Sequence, residues 1–491
     1  MSKSVISLRK KIGFSLGIIL FGILIAIPPP TGLPLPAWHV AAVATLMGVW
    51  WITETLPIAA TALLPIVLMP VLGIVDIDKA TAPYANPLIF LFMGGFVIAL
   101  AMERWDLHRR IALNIVSFVG VKPSSIILGF IISSAFISMW VSNTATALMM
   151  LPIGLSILNL VSNQKDTSDK VNFEIVLVLS IAYACNIGGM GTLIGTPPNA
   201  LLAGFMKENY GFEIGFTQWM MVGVPLMLVS LPLMYWLLTK VIYPIKLKHL
   251  PGGRELIEKE LAELGPISSQ EKKVAVVFCC TAALWIFRPL LTSMIPGLTD
   301  AGIAIGAAVV LFIIPSNLKQ GEFILSWSDT KKLPWGVLIL FGGGLSLASA
   351  ISSTGLAKWI GQGVSVIGGW PILLLVGLVV LLIVFLTEMT SNTATTAAFL
   401  PILASVAIGL GENPLMLAVP AALGASCAFM LPVATPPNAI VYGSGKITIP
   451  EMSKAGLWLN FTFIILLTIF AFSLISYVFG VKVGVLPSWA G

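Results

Sequence analysis

Ser142-Asn143-Thr144-Ala145-Thr146-Ala147-Leu148-Met149-Met150-Leu151-Pro152-Ile153 is a stretch that the chain carries twice. The second copy, residues 391–402, reads Ser-Asn-Thr-Ala-Thr-Thr-Ala-Ala-Phe-Leu-Pro-Ile and follows 249 positions later, about half the chain length. The same spacing relates Phe92, Gly94 and Gly95 to Phe341, Gly343 and Gly344. Because separate segments repeat with one spacing, the repeat covers whole halves of the chain.

A second polar motif follows each copy. Gly195-Thr196-Pro197-Pro198-Asn199 follows the first, and Ala434-Thr435-Pro436-Pro437-Asn438 follows the second. These motifs are 239 positions apart, because the first half has a longer polar loop at residues 163–172. Two halves that share the same pair of polar interruptions in apolar segments are typical of a secondary transporter.

The composition indicates a polytopic membrane protein. Hydrophobic residues make up 57% of the chain and charged residues 10%, whereas a soluble domain has roughly 25% charged residues. The mean hydropathy of +1.00 and the chain length predict roughly ten to twelve spans of about 20 residues each. The net charge of +6 does not indicate a nucleic-acid partner, since the basic residues lie in short loops, as the positive-inside rule expects.

Two further features bound the class of protein. The segment from Met1 to Pro28 has a basic start and an apolar run without a small-residue cleavage site, so we expect a retained first helix, at about Ile12 to Pro28. The cysteines all lie in apolar segments and form neither a disulfide framework nor a metal motif. They are Cys185, Cys279, Cys280 and Cys427.

The predicted fold is an all-α polytopic membrane protein with inverted repeats of about five spans each after an extra first helix. We expect that first helix within residues 1–36, scaffold spans in 37–122 and 274–370, hairpins and broken helices in 123–243 and 371–491, and a cytoplasmic linker in 244–273. The third span is predicted at about Ala59 to Val75. An amphipathic helix that starts near Glu103 is expected to lie in the membrane interface with its arginines outward.

Each Ser-Asn-Thr copy separates two apolar runs, within residues 126–160 and 371–410. We interpret each apolar run as shorter than a full membrane span. This predicts two re-entrant helical hairpins with tips near the membrane midplane. Irregular backbone at that depth is tolerated only where it is buried in protein or lines a cavity. The Thr-Pro-Pro-Asn motifs then break one helix in each half, in the first half at Gly195 to Asn199.

The basic loop residues predict a cytoplasmic N-terminus. The first hairpin then starts from the cytoplasmic side and the second from outside, which gives repeats of inverted topology. The residues predicted inside are Arg104, Arg109, Arg110, Lys122, Lys165, Lys246, Lys248, Lys331, Lys332, Lys446 and Lys454, with Lys207, Lys358 and Lys482 outside.

At a hairpin tip one helix ends and the next begins. The last carbonyl groups carry partial negative charge, which suits a cation, and the first amide groups carry partial positive charge, which suits an anion. Ser, Asn and Thr add neutral oxygens of the kind that Na⁺ prefers. We expect Thr196 and Thr435 to be N-caps, with Pro197 and Pro436 at the first helical position. Because the tips have no Arg or Lys and an uncompensated charge is costly at that depth, a divalent anion there requires co-bound cations.

These motifs resemble the divalent anion/sodium symporter family, whose members carry dicarboxylates, tricarboxylates or sulfate. The resemblance covers essentially the whole chain and depends on the paired tips and two further segments, Trp50-Trp51-Ile52-Thr53-Glu54-Thr55-Leu56-Pro57 and Ser426-x-x-Phe429-x-x-Pro432-Val433-Ala434-x-x-x-Asn438-x-Ile440-Val441. Thr146 and Thr395 stand where exchanger branches often have Arg, which resembles bacterial sodium-dicarboxylate carriers. The resemblance implies a homodimer in the cytoplasmic membrane and an elevator-like movement of the hairpin domain.

The resemblance also implies site residues. One sodium site corresponds to Ser138, Ser142, Asn143 and Gly195, and the other to Thr387, Ser391, Asn392 and Ala434. The substrate-binding residues correspond to Ser142, Asn143, Thr144, Thr196, Pro197, Ser391, Asn392, Thr393, Thr435 and Pro436. Na⁺ is then the co-transported ion, a small dicarboxylate such as succinate, fumarate or malate is the substrate, and no organic cofactor is expected.

Several alternatives remain open. The same fold could serve a sodium-independent dicarboxylate or tricarboxylate exchanger or a sodium-sulfate symporter, and a channel could use the same polar constriction. No enzymatic activity is predicted, since no set of nucleophile, base and orienting residue is visible. Glu388, whose counterpart is Met139, is either a proton-coupling group or a hydrogen-bonded structural carboxylate. Glu54 is predicted to anchor a loop.

Overall fold

A computed structural model of the chain describes residues 8–120, 122–162, 168–247, 252–363 and 370–490. These residues fold almost entirely into helices, as expected of an apolar chain whose backbone groups must bond within their own segment. Lys165, Lys248 and the first seven residues of the predicted N-terminal segment lie outside the described residues.

The described residues of the first half form twelve α-helices and a 3-10 helix at Ala82–Ala85, and the last α-helix continues into a π-helical turn at Leu237–Ile242. They are α1 (Leu8–Ala26), α2 (Leu35–Thr53), α3 (Ile58–Thr61), α4 (Leu64–Val71), α5 (Ile77–Thr81), α6 (Pro87–Arg104), α7 (Leu107–Val119), α8 (Pro123–Ser138), α9 (Asn143–Ser162), α10 (Ser168–Gly189), α11 (Pro197–Tyr210) and α12 (Phe216–Trp236).

The second half begins with a helix in the predicted linker, and a small antiparallel pair of strands, β1 (Pro315–Asn317) and β2 (Glu322–Phe323), precedes its repeated part. The helices are α13 (Gly253–Glu263), α14 (Ser269–Leu291), α15 (Asp300–Ile313), α16 (Trp335–Ser353), α17 (Leu356–Gly363), α18 (Ile372–Thr387), α19 (Asn392–Gly409), α20 (Leu415–Gly424), α21 (Pro436–Gly443), α22 (Ile449–Phe470) and α23 (Ser476–Phe479).

Helix boundaries follow the sequence repeat. The ends of α8 and α18 are 249 positions apart, and so are the starts of α9 and α19. The starts of α11 and α21 are 239 positions apart, which is the spacing of the Thr-Pro-Pro-Asn motifs. These three pairs of helix boundaries therefore repeat between the halves, and the paired helix starts carry the same residue, Asn in α9 and α19 and Pro in α11 and α21.

Within the described residues, nine helical segments are long and apolar enough to cross a membrane. Helix α1 is not among them, since its first turn carries Arg9, Lys10 and Lys11. The segments that begin at Asn143 and Asn392 are among the nine, at 18 residues each. The prediction that every hairpin arm is shorter than a span was therefore wrong for α9 and α19.

Two other predicted elements differ from the structure. The predicted third span is two short helices, α3 and α4, because Pro65 has no backbone N–H to donate to the preceding turn. The break in the first broken helix starts after Gly189 and not at Gly195. Glycines at 188, 189 and 191 lower the helix propensity there, which explains the earlier end of α10.

Close helix contacts repeat in the two halves. A Cβ added to Gly94 on α6 would collide with the backbone of Ala304 on α15, and one added to Gly343 on α16 would collide with the backbone of Ala62. Phe92 and Phe341, which are repeat counterparts, contact each other edge to face with ring centroids 5.1 Å apart. Two residues that the sequence repeat pairs therefore pack directly against each other.

The linker helix α13 is tied to α7 by ion pairs. Arg109 lies 2.7 Å from a carboxylate oxygen of Glu260 on α13, and Arg110 lies 2.7 Å from Glu271 at the start of α14. Arg110 also donates to the carbonyls of Leu264 and Gly265. The arginine face of α7 is therefore covered by the linker, and the prediction that it faces outward was wrong.

Candidate functional site

Both Ser-Asn-Thr tips and both Thr-Pro turns line one cavity of about 660 Å³. Twelve of the fourteen residues that the sequence assigns to binding lie in its wall: Ser142, Asn143, Thr144, Gly195, Thr196, Pro197, Ser391, Asn392, Thr393, Ala434, Thr435 and Pro436. Ser138 and Thr387, the other two, are fully buried and are not part of the wall. Segments from distant parts of the chain thus meet at one polar site.

The first tip joins two antiparallel helices. The ring of Phe130 on α8 lies 3.5 Å from the position of a Cβ at Gly154 on α9, and Ser133 Oγ lies 4.0 Å from Met150 Sδ. The hydroxyl of Ser142 accepts the Ala145 N–H at 3.2 Å and so caps the start of α9. A serine cap at this position is the local reason that a new helix begins here.

The second tip has the same cap and additional side-chain bonds. Ser391 Oγ accepts the Ala394 N–H at 3.5 Å, and the hydroxyls of Thr390 and Thr395 lie 2.6 Å apart. Thr146, the counterpart of Thr395, is buried and has no hydrogen-bond partner, because Val141 replaces Thr390 in the first half. The two tips are therefore similar in backbone and different in polar contacts.

Asparagines hold the unwound segments that precede α11 and α21. The side-chain amide of Asn199 donates to the carbonyls of Gly189 (3.2 Å) and Thr192 (2.8 Å). Its counterpart Asn438 donates to Ala428 and Leu431, both at 3.1 Å. These bonds satisfy carbonyl groups that the interrupted helices leave free. Sequence reasoning noted both asparagines as part of a motif and did not assign them this function.

A glycine covers each unwound segment. A Cβ on Gly223 of α12 would lie 2.9 Å from the carbonyl oxygen of Gly191, and one on Gly456 of α22 would lie 2.5 Å from Cα of Met430. Only glycine lets these helices approach so closely. Neither glycine stands in a recognisable motif, so no sequence pattern indicated this contact.

Glu388 binds the second unwound segment through its carboxylate. Its oxygens accept the backbone N–H groups of Phe429, Met430 and Leu431 at 2.7–3.1 Å and the side-chain amide of Asn460 at 2.8 Å. Four donors surround a side chain that is 3% exposed. An ionised carboxylate is the acceptor that suits such a set of donors, which favours the structural role over proton coupling.

The candidate sodium ligands differ between the two tips. Ser138 Oγ lies 2.9 Å from the Cys185 carbonyl, and Thr387 Oγ1 lies 2.9 Å from that of Ala425. Oδ1 of Asn143 is buried and has no hydrogen-bond partner. Oδ1 of its counterpart Asn392 is hydrogen-bonded to the Thr387 hydroxyl at 2.6 Å. The first tip thus presents a free buried oxygen, and the second presents an internally bonded one.

Four helices, α9, α11, α19 and α21, begin at the cavity wall, so their partly positive N-termini converge there. Thr435 is an N-cap whose hydroxyl accepts the Asn438 N–H. Thr196 stands at the N-cap position, but its side chain makes no capping bond. Both threonines therefore stand at the predicted N-cap positions, and only Thr435 makes the side-chain capping bond.

The charged residues among the described cavity-lining groups are Glu54, Glu103 and Lys332. Glu54 ends α2 in the left-handed conformation, with φ of 49°. It lines the cavity and is not only a loop anchor. Asn186 on α10 also lines the cavity and was missed from the sequence. A single polar residue in the apolar run Ile181 to Ile187 was the available signal.

Interrupted helices that converge on a polar cavity, in a chain with nine candidate spans among its described residues, define a helical membrane transport protein. Solved structures of transporters share the fold. The YdaH transporter of Alcanivorax borkumensis aligns with a TM-score of 0.59 at 14% identity, covering 91% of this chain and 99% of that one. MtrF of Neisseria gonorrhoeae, described as illuminating a class of antimetabolite efflux pumps, aligns with a TM-score of 0.57 at 14% identity, covering 96% of each chain.

The chain belongs to the sodium:sulfate symporter family, since residues 9–480 match that family's transmembrane region. The sodium-dependent dicarboxylate transporter SdcS of Staphylococcus saprophyticus is 44% identical over 480 residues, covering 96% of this chain and 92% of the relative. SdcS of Staphylococcus aureus strain USA300 is 44% identical over 490 residues, covering 98% of this chain and 94% of the relative. The family resemblance inferred from the motifs is confirmed.

Proposed function

We propose that the protein is a sodium-coupled symporter of C4-dicarboxylates such as succinate, fumarate and malate. The observation that carries this proposal is the convergence of four helix starts and two Ser-Asn-Thr tips on one cavity lined mainly by uncharged groups. The 44% identity to proteins named sodium-dependent dicarboxylate transporters supports it.

The chemistry of the site supports coupling to Na⁺. The tips contribute amide and hydroxyl groups and no Arg or Lys. Lys332 in the described cavity wall is accompanied by the carboxylates of Glu54 and Glu103, so the wall carries no net positive charge to offset the two charges of a dicarboxylate. Na⁺ bound behind each tip, at Ser138 and Asn143 or at Thr387 and Asn392, would supply that compensation with neutral oxygen ligands. The anion then binds only after the cations, because its desolvation is costly without them.

We propose that the substrate carboxylates are held by the tips and the Thr-Pro turns. The residues are Ser142, Asn143, Thr144, Thr196, Pro197, Ser391, Asn392, Thr393, Thr435 and Pro436. The ligands of the first Na⁺ are Ser138, Ser142, Asn143 and Gly195, and those of the second are Thr387, Ser391, Asn392 and Ala434. Backbone N–H groups at the four helix starts add donors for the anion.

The mechanism that fits this arrangement is an elevator. Part of the cavity wall comes from Glu54 after α2, from α3, α6 and the start of α16, and part comes from the tips and the Thr-Pro turns. In this proposal residues 37–122 and 274–370 form the scaffold, residues 123–243 and 371–491 form the moving part, and residues 244–273 link the halves. The contact of Phe92 with its counterpart Phe341 supports halves related by inverted repeat.

The proposed location is the cytoplasmic membrane, with the N-terminus inside and the protein a homodimer. Lys332 and Glu103 line the cavity next to Arg104, on the side where the basic loops predict the cytoplasm. The cavity therefore corresponds to a state open to the cytoplasm.

The experiment is uptake of radiolabelled succinate by the purified protein in liposomes. Vesicles carry an inward Na⁺ gradient, an inward K⁺ gradient, or unlabelled succinate inside, and competition with unlabelled sulfate measures substrate class. Asn143→Ala and Asn392→Ala should each reduce both Na⁺ and succinate binding. Asn209→Ala, whose amide bonds only the Phe205 carbonyl within α11, is the matched control.

Succinate uptake that requires the Na⁺ gradient and is not inhibited by unlabelled sulfate supports the dicarboxylate symporter. Uptake driven by internal succinate without Na⁺ would make the protein an exchanger and remove the sodium-site assignments. Succinate uptake abolished by equimolar sulfate would move the protein to the sulfate-transporting members.

A further inference from the structure

Asn186 is a polar side chain of the first half that bonds the unwound segment of the second. It lies near the end of α10, is 2% exposed, and lines the cavity. Its amide nitrogen donates to the Ala428 carbonyl and to Thr435 Oγ1, both at 3.2 Å. The Thr435 hydroxyl therefore has a donor that comes from 249 positions away in the chain.

Thr435 Oγ1 also accepts the backbone N–H of Asn438, at 3.4 Å. A threonine hydroxyl has two acceptor lone pairs and one hydrogen. With both lone pairs directed at the Asn186 amide and the Asn438 N–H, the hydroxyl hydrogen is left to point elsewhere. Because Thr435 itself lines the cavity, that hydrogen is available to an acceptor bound there.

The first half has no equivalent arrangement. Thr196, the counterpart of Thr435, makes no side-chain capping bond. The residue 239 positions after Asn186 is Ala425, which has no polar side chain. Only one of the two threonines is therefore fixed as a hydrogen-bond donor by a neighbouring amide.

We propose that Asn186 is a positioning residue that fixes the Thr435 hydroxyl as a donor to a substrate carboxylate. This inference rests on the proposed function, since it takes a dicarboxylate as the occupant of the cavity. It makes the two ends of the site unequal. One carboxylate meets a pre-oriented hydroxyl donor at Thr435, and the other meets a threonine at 196 whose hydroxyl is free to rotate.

Calorimetric binding of succinate to the purified protein in saturating Na⁺ tests this. Asn186→Ala removes one donor to the hydroxyl and should weaken succinate binding about ten-fold, the effect of one lost hydrogen bond. The Na⁺ concentration that half-saturates Na⁺ binding in the absence of succinate should not change. Asn209→Ala, an asparagine outside the cavity, should leave both quantities unchanged.

Asn186→Asp is nearly isosteric and reverses the hydrogen bond. Its carboxylate would accept the Thr435 hydroxyl and turn the donor away from the cavity, so we expect a larger loss than for Asn186→Ala. Should Asn186→Ala fail to fold, this variant provides the same test.

A double-mutant cycle separates positioning from a general structural effect. In the Thr435→Ala background, Asn186→Ala should cause no further loss of succinate affinity, because the hydroxyl that it orients is gone. In the Thr435→Ser background, which keeps the hydroxyl, the loss of about ten-fold should return.

The measurements distinguish failure of the proposed function from failure of the Asn186 inference alone. Wild-type protein without Na⁺-dependent succinate binding would overturn the proposed function and this inference with it. Wild-type binding together with an unchanged affinity of Asn186→Ala, or fully additive losses in the cycle, would overturn the inference alone.

Discussion

At the scale of single residues, buried polar groups without a counterpart in the other half carry the most information. Glu388 stands at the repeat position of Met139 in the first half. Its carboxylate accepts hydrogen bonds from three consecutive backbone N–H groups of the second unwound segment. In the first half the corresponding contact is a hydroxyl, since Thr192 donates to the Met139 carbonyl at 2.5 Å. The same backbone shape is thus held by different chemistry in the two halves.

Glu388→Gln should reduce both stability and succinate uptake. The glutamine NH₂ cannot accept a hydrogen bond, so at least one buried N–H loses its acceptor, at a cost of about 1–3 kcal/mol. We expect a lower midpoint of thermal unfolding in detergent and at least a ten-fold loss of uptake. The ratio of wild-type to variant uptake should not change with pH, because the proposed role of the carboxylate is to accept hydrogen bonds and not to carry a proton.

Glu258→Gln is the matched control, because Glu258 forms an exposed ion pair with Arg254 within α13 and such pairs contribute little. If Glu388→Gln instead transports at the wild-type rate and only loses a pH dependence, the carboxylate is a proton-coupling group.

The two candidate sodium sites should fill at different Na⁺ concentrations. Asn143 Oδ1 is free to bind an ion, whereas Asn392 Oδ1 must first give up its bond to the Thr387 hydroxyl. Losing that bond costs about 0.5–1.5 kcal/mol, so the first site should bind Na⁺ several-fold more tightly. Trp140, next to the first tip, provides a fluorescence signal for its occupancy.

Ser138→Ala should raise the Na⁺ concentration at which the Trp140 fluorescence change is half complete. Thr387→Val should leave that concentration unchanged and raise the Na⁺ concentration needed for half-maximal succinate uptake. Trp140→Phe identifies the part of the emission that belongs to the first tip. Equal shifts of the signal by both variants would show that the sites fill together.

At the scale of elements, each broken helix depends on the helix that covers it. α12 lies against the segment after α10, and α22 lies against the segment after α20, with Gly223 and Gly456 at the two contacts. The unwound segments keep their shape because backbone packs directly on backbone, without an intervening side chain.

Gly223→Ala and Gly456→Ala should each displace an unwound segment. An added methyl group collides with backbone that cannot rotate away, and overpacking of this kind costs about 1–3 kcal/mol. We expect a roughly ten-fold loss of succinate affinity together with a lower unfolding midpoint.

Gly306→Ala on α15 is the control, since nothing lies within 4 Å of a Cβ at that position and alanine favours a helix. Wild-type affinity in both test variants would mean that the unwound segments adjust to the helices that cover them.

At the scale of the whole molecule, the tips differ in their contacts with the proposed scaffold. Trp140 packs edge to face on Phe278 of α14, with ring centroids 5.1 Å apart. Its counterpart Met389 is 66% exposed, and its carbonyl accepts a hydrogen bond from Arg9 at 3.0 Å. Such unequal contacts of equivalent tips are expected of one end state of an alternating-access cycle.

Cross-linking the first tip to the scaffold should stop transport. In a background without the native cysteines, Trp140→Cys with Phe278→Cys bridged by Hg²⁺ should abolish succinate uptake, and excess thiol should restore it. Phe14→Cys with Trp50→Cys, on α1 and α2 with ring centroids 5.8 Å apart, bridges residues outside the moving part and should leave uptake unchanged. Full transport by the bridged first pair would exclude an elevator movement at this interface.

Much of the architecture could be read from the sequence because its determinants are local. Ser142 and Ser391 cap helices, Pro197 and Pro436 start them, and polar residues in apolar runs stand out at membrane depth. The repeat of 249 positions then predicted the second half from the first. The third span was misjudged because hydropathy does not register the effect of Pro65 on helix continuity.

The sequence by itself determined the family, the helix starts at the tips and at the Thr-Pro turns, and twelve of the residues that line the cavity, since each depends on residues a few positions apart. Only the tertiary structure decided that the Asn186 side chain bonds Thr435 and that the Glu388 carboxylate accepts the backbone N–H groups of residues 429–431. It also decided that glycines on α12 and α22 pack against the unwound segments. These contacts join residues that are 30 to 250 positions apart, roughly, and no local pattern encodes which distant backbone group a buried side chain will meet.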